Sequence, residues 1–362
     1  MMVKPRVVVA MSGGVDSSLT AALLVRQGYD VIGATMQIWN SEREDIDERG
    51  CCSLSAVGDA RRVADKLGIP YYVLNFRDMF QKTVVDYFIR EYAAGRTPNP
   101  CIACNRYVKF DGLLKKAQAL GADYVATGHY ARIDFEECSG RFLLRKGIDA
   151  TKDQSYALYN LTQETLKYFL MPLGTLTKVE TRQMARELDL AVAEKPDSQE
   201  ICFVPDDDYK KFLAEKAPKS LKSGNIVDTN GNIIGRHQGL PLYTVGQRKG
   251  LGLAAGKPLY VVELDVERNQ IIVGNNDDVF ASELIAEDLN YIAFDNLNKP
   301  MNALVKIRYN ASEALATISP LADGQVGVKF SKPQRAITPG QSVVFYDNDI
   351  VLGGGTIKKV LR

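Results

Sequence analysis

Ala10-Met11-Ser12-Gly13-Gly14-Val15-Asp16-Ser17-Ser18 decides how this chain reads. A Val-rich run from Val3 to Val9 precedes it, with a strand reading from Arg6 to Ala10, and an apolar helical pattern from Leu19 to Gln27 follows. The string therefore sits where a first strand turns into a first helix, with Asp16 or Ser17 expected near the helix N-cap. Gly13 and Gly14 let the backbone turn sharply and approach a ligand closely. Ser12, Ser17 and Ser18 add hydroxyl donors. The helix start adds unpaired N–H groups and a partial positive charge. Together they form an anion cradle suited to phosphate. The spacing is neither that of a Walker loop nor G-x-G-x-x-G. A Gly-Gly pair alone would mark only an ordinary strand–helix turn. The full string, placed after a first strand, reads as a nucleotide loop rather than such a turn.

Outward from this loop, strands and helices alternate for about 200 residues, which predicts a parallel sheet with helices on both faces. Strands read at Val31 to Met36, Tyr71 to Asn75 and Tyr124 to Thr127. Helices read at Leu54 to Leu67, from a cap at Asp78 to Tyr92, and at Phe110 to Leu120. Asn40 to Arg49 is a polar, acidic loop, and Gly95 to Pro100 is turn chemistry throughout. Short helices fit Gln154 to Asn160 and Gln163 to Phe169, and Thr177 with Glu180 forms a capping box opening a helix to about Leu188. Beyond Ser223, glycines punctuate short strands, with a hairpin from Tyr260 to Gly274. From about Ser282 onward, regularly spaced strands predict a small β-barrel or sandwich. Ile350 to Leu352 and Thr356 to Leu361 read as two of them.

The 362 residues suffice for two or three domains. A net charge of +1 argues neither for nor against nucleic acid, so an RNA surface would have to come from local patches. No apolar run is long enough to span a membrane, and the N-terminus enters the first strand without a leader pattern, so a cytoplasmic location is expected. The six cysteines then do not read as a disulfide framework. Two histidines, His129 and His237, leave little room for a multi-His metal site.

Three segments carry candidate chemistry. Cys101-Ile102-Ala103-Cys104 follows a Pro-Asn-Pro turn. It reads as a pair of loop thiols, as reactive thiols, or as half of a zinc site, although no second C-x-x-C exists. A helix is expected to begin only near Asn105. Cys202 lies between Ile201 and Phe203, as a small buried residue would. Thr127-Gly128-His129-Tyr130-Ala131 follows a strand; Gly128 allows close approach to a base or ribose, and His129 alone would read as a strand-end core residue. Lys152-Asp153-Gln154-Ser155-Tyr156 opens a helix and alone would read as a solvated turn.

The S-G-G-V-D-S-S string resembles the PP-loop of the ATP pyrophosphatases (adenine nucleotide alpha hydrolase-like), which cleave ATP to AMP and pyrophosphate. Together with G-R-T-P-N-P-C-I-A-C-N at 95–105, T-G-H-Y-A at 127–131, K-D-Q-S-Y at 152–156, D-S-Q-E-I-C-F at 197–203 and Y-T-V-G-Q-R-K-G-L-G at 243–252, it resembles the bacterial tRNA-specific 2-thiouridylase (tRNA-uridine 2-sulfurtransferase) family over essentially the whole chain. That resemblance implies an α/β PP-loop catalytic domain over 1–208, a small central domain over 209–280 and a C-terminal β-barrel over 281–362.

The implied activity is ATP-dependent sulfur transfer to C2 of the wobble uridine in tRNAs for Lys, Glu and Gln, with Mg²⁺ accompanying ATP and a persulfide donor protein, such as a cysteine desulfurase, supplying sulfur. The implied catalytic pair is Cys104 and Cys202. Ala10, Met11, Ser12, Gly13, Gly14, Val15, Asp16 and Ser17 line the nucleotide, with Met36 and Gly128 near its adenosine part. Asn99, Pro100 and Cys101 meet the target base; many family members carry aspartate where Cys101 stands. His129, Lys152, Asp153, Gln154, Arg308, Tyr309 and Gln341 map to tRNA contacts. Alone, Arg308-Tyr309 would read as a strand end with one exposed charge. Three cysteines also admit an iron–sulfur cluster with an open iron site. The competing readings are a PP-loop amidating ligase, which needs no cysteine pair, and a non-catalytic RNA-binding or redox protein, which leaves the opening loop unexplained.

Overall fold

The computed structural model describes residues 4–38, 54–197, 201–204, 206, 208–253 and 256–362. The chain divides into two compact units: Met1–Val85, Cys101–Asp207 and Asp349–Val351 form one, and Asp86–Pro100, Asp208–Asn348 and Leu352–Arg362 the other.

In the first unit, β1 (Arg6–Ala10), β2 (Asp30–Gln37), β3 (Tyr71–Asn75) and β4 (Tyr124–Ala126) are followed by an antiparallel hairpin, β5 (Ala131–Glu136) and β6 (Arg141–Lys146), and then by the two-residue β7 (Phe169–Leu170). The main sheet runs β3-β2-β1-β4-β7 with every pair parallel. Val7, Val8 and Val9 of β1 are fully buried, as expected of a central parallel strand covered on both faces. Helices α1 (Val15–Arg26) and α2 (Leu54–Leu67) contribute Ala21, Leu24, Ala60 and Val63 to the core against this sheet. The chain winds outward from β1 in one direction and then in the other. The strand order therefore reverses between β1 and β4, and a crevice opens at their carboxyl ends. The nucleotide loop follows β1 there, and Thr127 to Tyr130 follow β4.

The second unit holds two all-β modules. β8 (Gly224–Val227), β9 (Ile233–His237), β10 (Tyr260–Asp265) and β11 (Gln270–Gly274) make a sheet in the order β10-β11-β8-β9. β12 (Phe280–Tyr291), β13 (Met301–Lys306), β14 (Ala314–Pro320), β15 (Val326–Arg335), β16 (Ser342–Asp347) and β17 (Ile350–Leu361) run β12-β15-β14-β13-β16-β17 and close by pairing of β12 with β17. The interior of this six-stranded barrel is filled by alternate residues, among them Leu284 and Ala286, Ala303 and Val305, Ala316 and Ile318, and Val326, Val328 and Phe330. Helix Asp86–Ala93 packs in this unit: the Phe88 ring meets Phe212 at 6.2 Å and Tyr92 stacks on Tyr209 at 5.2 Å.

Several expectations need correction. The N-cap of α1 is Gly14, not Asp16 or Ser17, which lie in the first turn. Phe76, not Asp78, precedes the helix beginning at Arg77. The helical run expected from Asn105 or Phe110 begins at Pro100, in α form to Ala103, π form over Cys104–Gly112 and α form over Leu113–Ala119. Proline suits a first helical position because its missing N–H has no acceptor there. The helix expected over Gln163 to Phe169 stops at Leu166, and Phe169 enters the sheet. Ile350 to Leu361 is one strand. The Asn40 to Arg49 loop and Cys51-Cys52 lie outside the described residues.

Candidate active site

The nucleotide loop is built by its own backbone and by its neighbours in the sheet. Met11 N–H donates to the Ala34 carbonyl at 2.8 Å, and Thr35 Oγ1 donates to the Met11 carbonyl at 2.6 Å. Ser12 N–H donates to Ser17 Oγ at 3.1 Å, which folds the loop back on the first turn of α1. Gly13 has φ +72°, and a Cβ there would stand 2.2 Å from the Ala56 carbonyl oxygen. Glycine is required twice over, by conformation and by space. Lys195 Nζ donates to the Gly13 carbonyl at 3.1 Å and pairs with Asp59 at 2.6 Å. Ala10 ends β1, and Met36 is half-buried one residue before the end of β2.

Asp16 anchors a charge network. Its carboxylate accepts from Lys178 Nζ at 2.8 Å on both oxygens and from the Tyr130 hydroxyl at 2.8 Å. Lys178 is 9% exposed and also pairs with Asp197 Oδ1 at 2.8 Å. Lys152 Nζ holds the other Asp197 oxygen at 2.8 Å, and Arg182 approaches Oδ1 at 3.1 Å. Burial pushes the Asp197 carboxyl up, but the hydrogen bonds from Lys152 and Lys178 outweigh it and hold the group below the usual carboxylate range. Burial, with the charge of Asp16, pushes the Tyr130 phenol up. Lys178 and Lys195 were not singled out in the sequence. One signal was present: Lys178 is the first residue of its helix, where the macrodipole disfavours a cation unless carboxylates hold it.

Gly128 packs against the loop. A Cβ there would stand 2.8 Å from backbone atoms of Asp16 and Ser17, so its glycine is explained by contact with α1. His129 is buried, its Nδ1 lies 2.8 Å from Thr127 Oγ1, and its ring is 5.7 Å from that of Phe110. Burial, aided by Lys109, drives its pKa well below that of a free imidazole, so the ring is neutral at pH 7. Lys152, Asp153 and Gln154 all form internal bonds. Asp153 accepts from Gly147 N–H at 3.0 Å and from the Ser155 hydroxyl at 2.8 Å. Gln154 bridges Tyr130 by both backbone and side chain, each at 3.0 Å.

Cys104 is half-buried and Cys101 exposed; they open the helical run one turn apart. Cys202 is half-buried, five residues beyond Asp197, beside a buried Phe203 whose ring meets Phe80 at 5.8 Å. Among the described residues no three His, Cys, Asp or Glu side chains are grouped to hold a metal ion.

In the second unit, Asn99 is half-buried and Pro100 buried. Gln341 Nε2 donates to the Thr97 carbonyl at 2.8 Å, and Thr97 N–H donates to the Pro339 carbonyl at 2.9 Å. The half-buried Arg308 guanidinium donates to the Ala336 carbonyl and to Thr338 Oγ1. Tyr309 is exposed, with Lys306 Nζ 5.8 Å from its ring centre.

Comparison with known proteins adds a second line. Residues 5–206 match the tRNA methyl transferase HUP domain, 210–275 the tRNA methyl transferase PRC-barrel domain, and 281–357 the aminomethyltransferase beta-barrel domain. The tRNA-specific 2-thiouridylase MnmA of Acetivibrio thermocellus is 60% identical over 359 residues, covering 99% of this chain and 100% of the relative. This chain belongs to the tRNA-specific 2-thiouridylase family. The family member of Heliobacterium modesticaldum is 61% identical over 360 residues, covering 99% of this chain and 94% of its own. Among solved structures, the U34-tRNA thiolase NcsA from Methanococcus maripaludis, with its iron–sulfur cluster, aligns with a TM-score of 0.34 and 18% identity over 60% of this chain and 69% of its own. The three-domain α/β and β-barrel architecture expected from the resemblance is the one observed.

Proposed function

We propose that this protein is an ATP-dependent tRNA-uridine 2-sulfurtransferase acting on the wobble uridine of tRNAs for Lys, Glu and Gln, with catalytic, central and barrel domains at 1–208, 209–280 and 281–362. One observation carries the reading: the S-G-G-V-D-S-S loop sits at the β1/β4 switch crevice of a chain that matches named 2-thiouridylases end to end.

The loop from Ala10 to Ser17 binds the ATP phosphates through its N–H and hydroxyl groups, with Met36 and Gly128 beside the adenosine. Asp16, itself held by Lys178 and Tyr130, keeps the first turn of α1 fixed. Mg²⁺ brought in with ATP would neutralise part of the phosphate charge. Uridine O2 attacks the α-phosphate, pyrophosphate leaves, and a poor leaving group becomes AMP. The terminal sulfur of a persulfide on Cys104, delivered by a donor protein, attacks C2 and AMP departs. The Cys202 thiolate then attacks the Cys104 sulfur; a Cys104–Cys202 disulfide forms and thiouridine is released. An external reductant resets the pair. The target base leaves the anticodon stack to meet Asn99, Pro100 and Cys101. His129, Lys152 to Gln154, Arg308, Tyr309 and Gln341 border the RNA. A cytoplasmic location fits the substrate, and among the described residues no helix is long and apolar enough to cross a membrane.

The test is mass spectrometry of wobble nucleosides after incubation with tRNA, ATP, Mg²⁺ and a persulfide donor. Thiouridine is expected from the wild type and none from Cys104→Ala, while ATP binding survives; wild-type product from Cys104→Ala sinks the assignment. Iron measured after anaerobic purification, with and without Cys101→Asp, tests the cluster alternative.

A further inference from the structure

Cys104 is bracketed by two buried amides. Asn105, 2% exposed, donates from Nδ2 to the Ala157 carbonyl at 2.9 Å. Asn160, 7% exposed, donates from Nδ2 to the Ile102 carbonyl at 3.3 Å. The bonds run in opposite directions: each segment supplies one donor and one acceptor to the other. Cys104 lies between the two tied positions, and the opposing segment, 157–160, continues directly from Lys152 to Tyr156.

We propose that Asn160, with Asn105, is a positioning residue that fixes the helical turn carrying Cys104. Three observations support this. First, Cys104 begins a nine-residue π-helical stretch, a conformation that is rare and found at functional positions. Such a turn is not pinned by ordinary α-helical bonding, so outside ties set its place. Second, Asn105 Oδ1 and Asn160 Oδ1 are buried without a hydrogen-bond partner among the described residues. A buried acceptor left unmade is a net cost to stability, and an apolar pair of similar shape would avoid it. The amides are therefore better explained by the geometry they impose than by the stability they add. Third, the opposing segment is tied to the nucleotide loop: Gln154 bridges Tyr130, and the Tyr130 hydroxyl donates to Asp16. The clamp thus references the nucleophile to the same frame that holds ATP. A misplacement of about 1 Å at a reacting atom costs roughly 10²-fold in rate.

The proposal rests on Cys104 being the sulfur carrier, and its test separates the two. Asn160→Asp keeps the shape but turns the donor into an acceptor facing the Ile102 carbonyl. Asn160→Ala removes the group. Asn160→Ser keeps a hydroxyl donor. Thiolation kcat is expected to fall about 10- to 100-fold in the Asp and Ala variants, with KM for ATP and tRNA and the rate of pyrophosphate release kept. The Ser variant should recover part of the loss. In protein without ATP or tRNA, alkylation of Cys104, resolved from Cys101 by fragment-ion mass spectrometry, should change in rate while that of Cys202 stays constant. A merely structural role would lower all activities together, in proportion to the folded fraction. Wild-type Cys104 alkylation and kcat in folded Asp and Ala variants would overturn the proposal. Thiolation by Cys104→Ala would instead overturn the reading beneath it, whatever the Asn160 variants do.

Discussion

Lys178 Nζ lies 2.8 Å from each carboxylate oxygen of Asp16 and, on its other side, 2.8 Å from Asp197 Oδ1. A single buried ammonium therefore ties the first turn of α1 to Asp197. Removing it leaves two carboxylates facing each other across an apolar side chain. Lys178→Met is expected to destabilise the protein by about 3 kcal/mol, the low end for breaking a buried pair, because both carboxylates keep some solvent. ATP affinity should fall with it. Urea unfolding and calorimetric ATP titration check both; wild-type stability would mean that water replaces the lysine without cost.

Gly128 supplies a contrast between two glycines. Its Cβ would meet the Asp16 and Ser17 backbone at 2.8 Å, and backbone cannot swing aside. Gly128→Ala is expected to cost about 1–3 kcal/mol and to weaken ATP binding by displacing the loop after β4. Gly58 lies inside α2, and its Cβ would meet only the flexible end of Arg62, at 3.7 Å. Gly58→Ala should stabilise by roughly 0.5–1 kcal/mol. Thermal unfolding of both variants reads the sign directly.

These pairs also show what was legible in the sequence. Val7 to Val9 and the two glycines placed the turn between β1 and α1, because strand burial, turn geometry and helix start are all local properties. The capping box at Thr177 was legible for the same reason and is formed, with Glu180 Oε2 accepting from Thr177 N–H at 2.7 Å. Lys178, the next residue, was not, since its partner lies 162 positions away. Phe169–Leu170 is too short for a strand period to show, so β7, at the edge of the main sheet, reads from sequence as a helix end. Lys152, Asp153 and Gln154 looked like a solvated turn because their acceptors and donors, Asp197, Gly147 and Tyr130, lie elsewhere in the sequence.

Gln341 tests how the barrel turn holds the strap before Cys101. Its amide donates to the Thr97 carbonyl, and Thr97 N–H is taken by Pro339. Gln341→Leu leaves the Thr97 carbonyl without that donor, at a cost of about 1 kcal/mol. Amide exchange at Thr97 should speed up in protein free of tRNA. Hydrogen–deuterium exchange of the peptide spanning 95–100 measures this; unchanged protection would show that the Pro339 bond alone fixes the strap.

The two histidines give the protein a defined acid limit. His237 Nδ1 accepts from the Gly239 amide at 3.1 Å, so the proton sits on Nε2, which donates to the Asn269 carbonyl at 3.1 Å. A second proton on Nδ1 would face that amide donor. Burial lowers the pKa of His237, and burial with Lys109 lowers that of His129 well below the ordinary imidazole value. The unfolded chain, with imidazoles near pH 6.5, then binds more protons than the folded one. Stability is therefore fully present above pH ~6.5 and is lost as pH falls from there toward the folded-state values. The lowered carboxylates, Asp149, Asp197 and Asp349 among them, act only below about pH 4, so the window from pH 5 to 7 isolates the histidines. Urea unfolding free energies at half-unit steps across that window should decline as pH falls. His237→Asn should start lower at pH 7.5 yet show a shallower slope. An equal slope in the variant would mean that His237 contributes nothing to the acid limit and that His129 carries it alone.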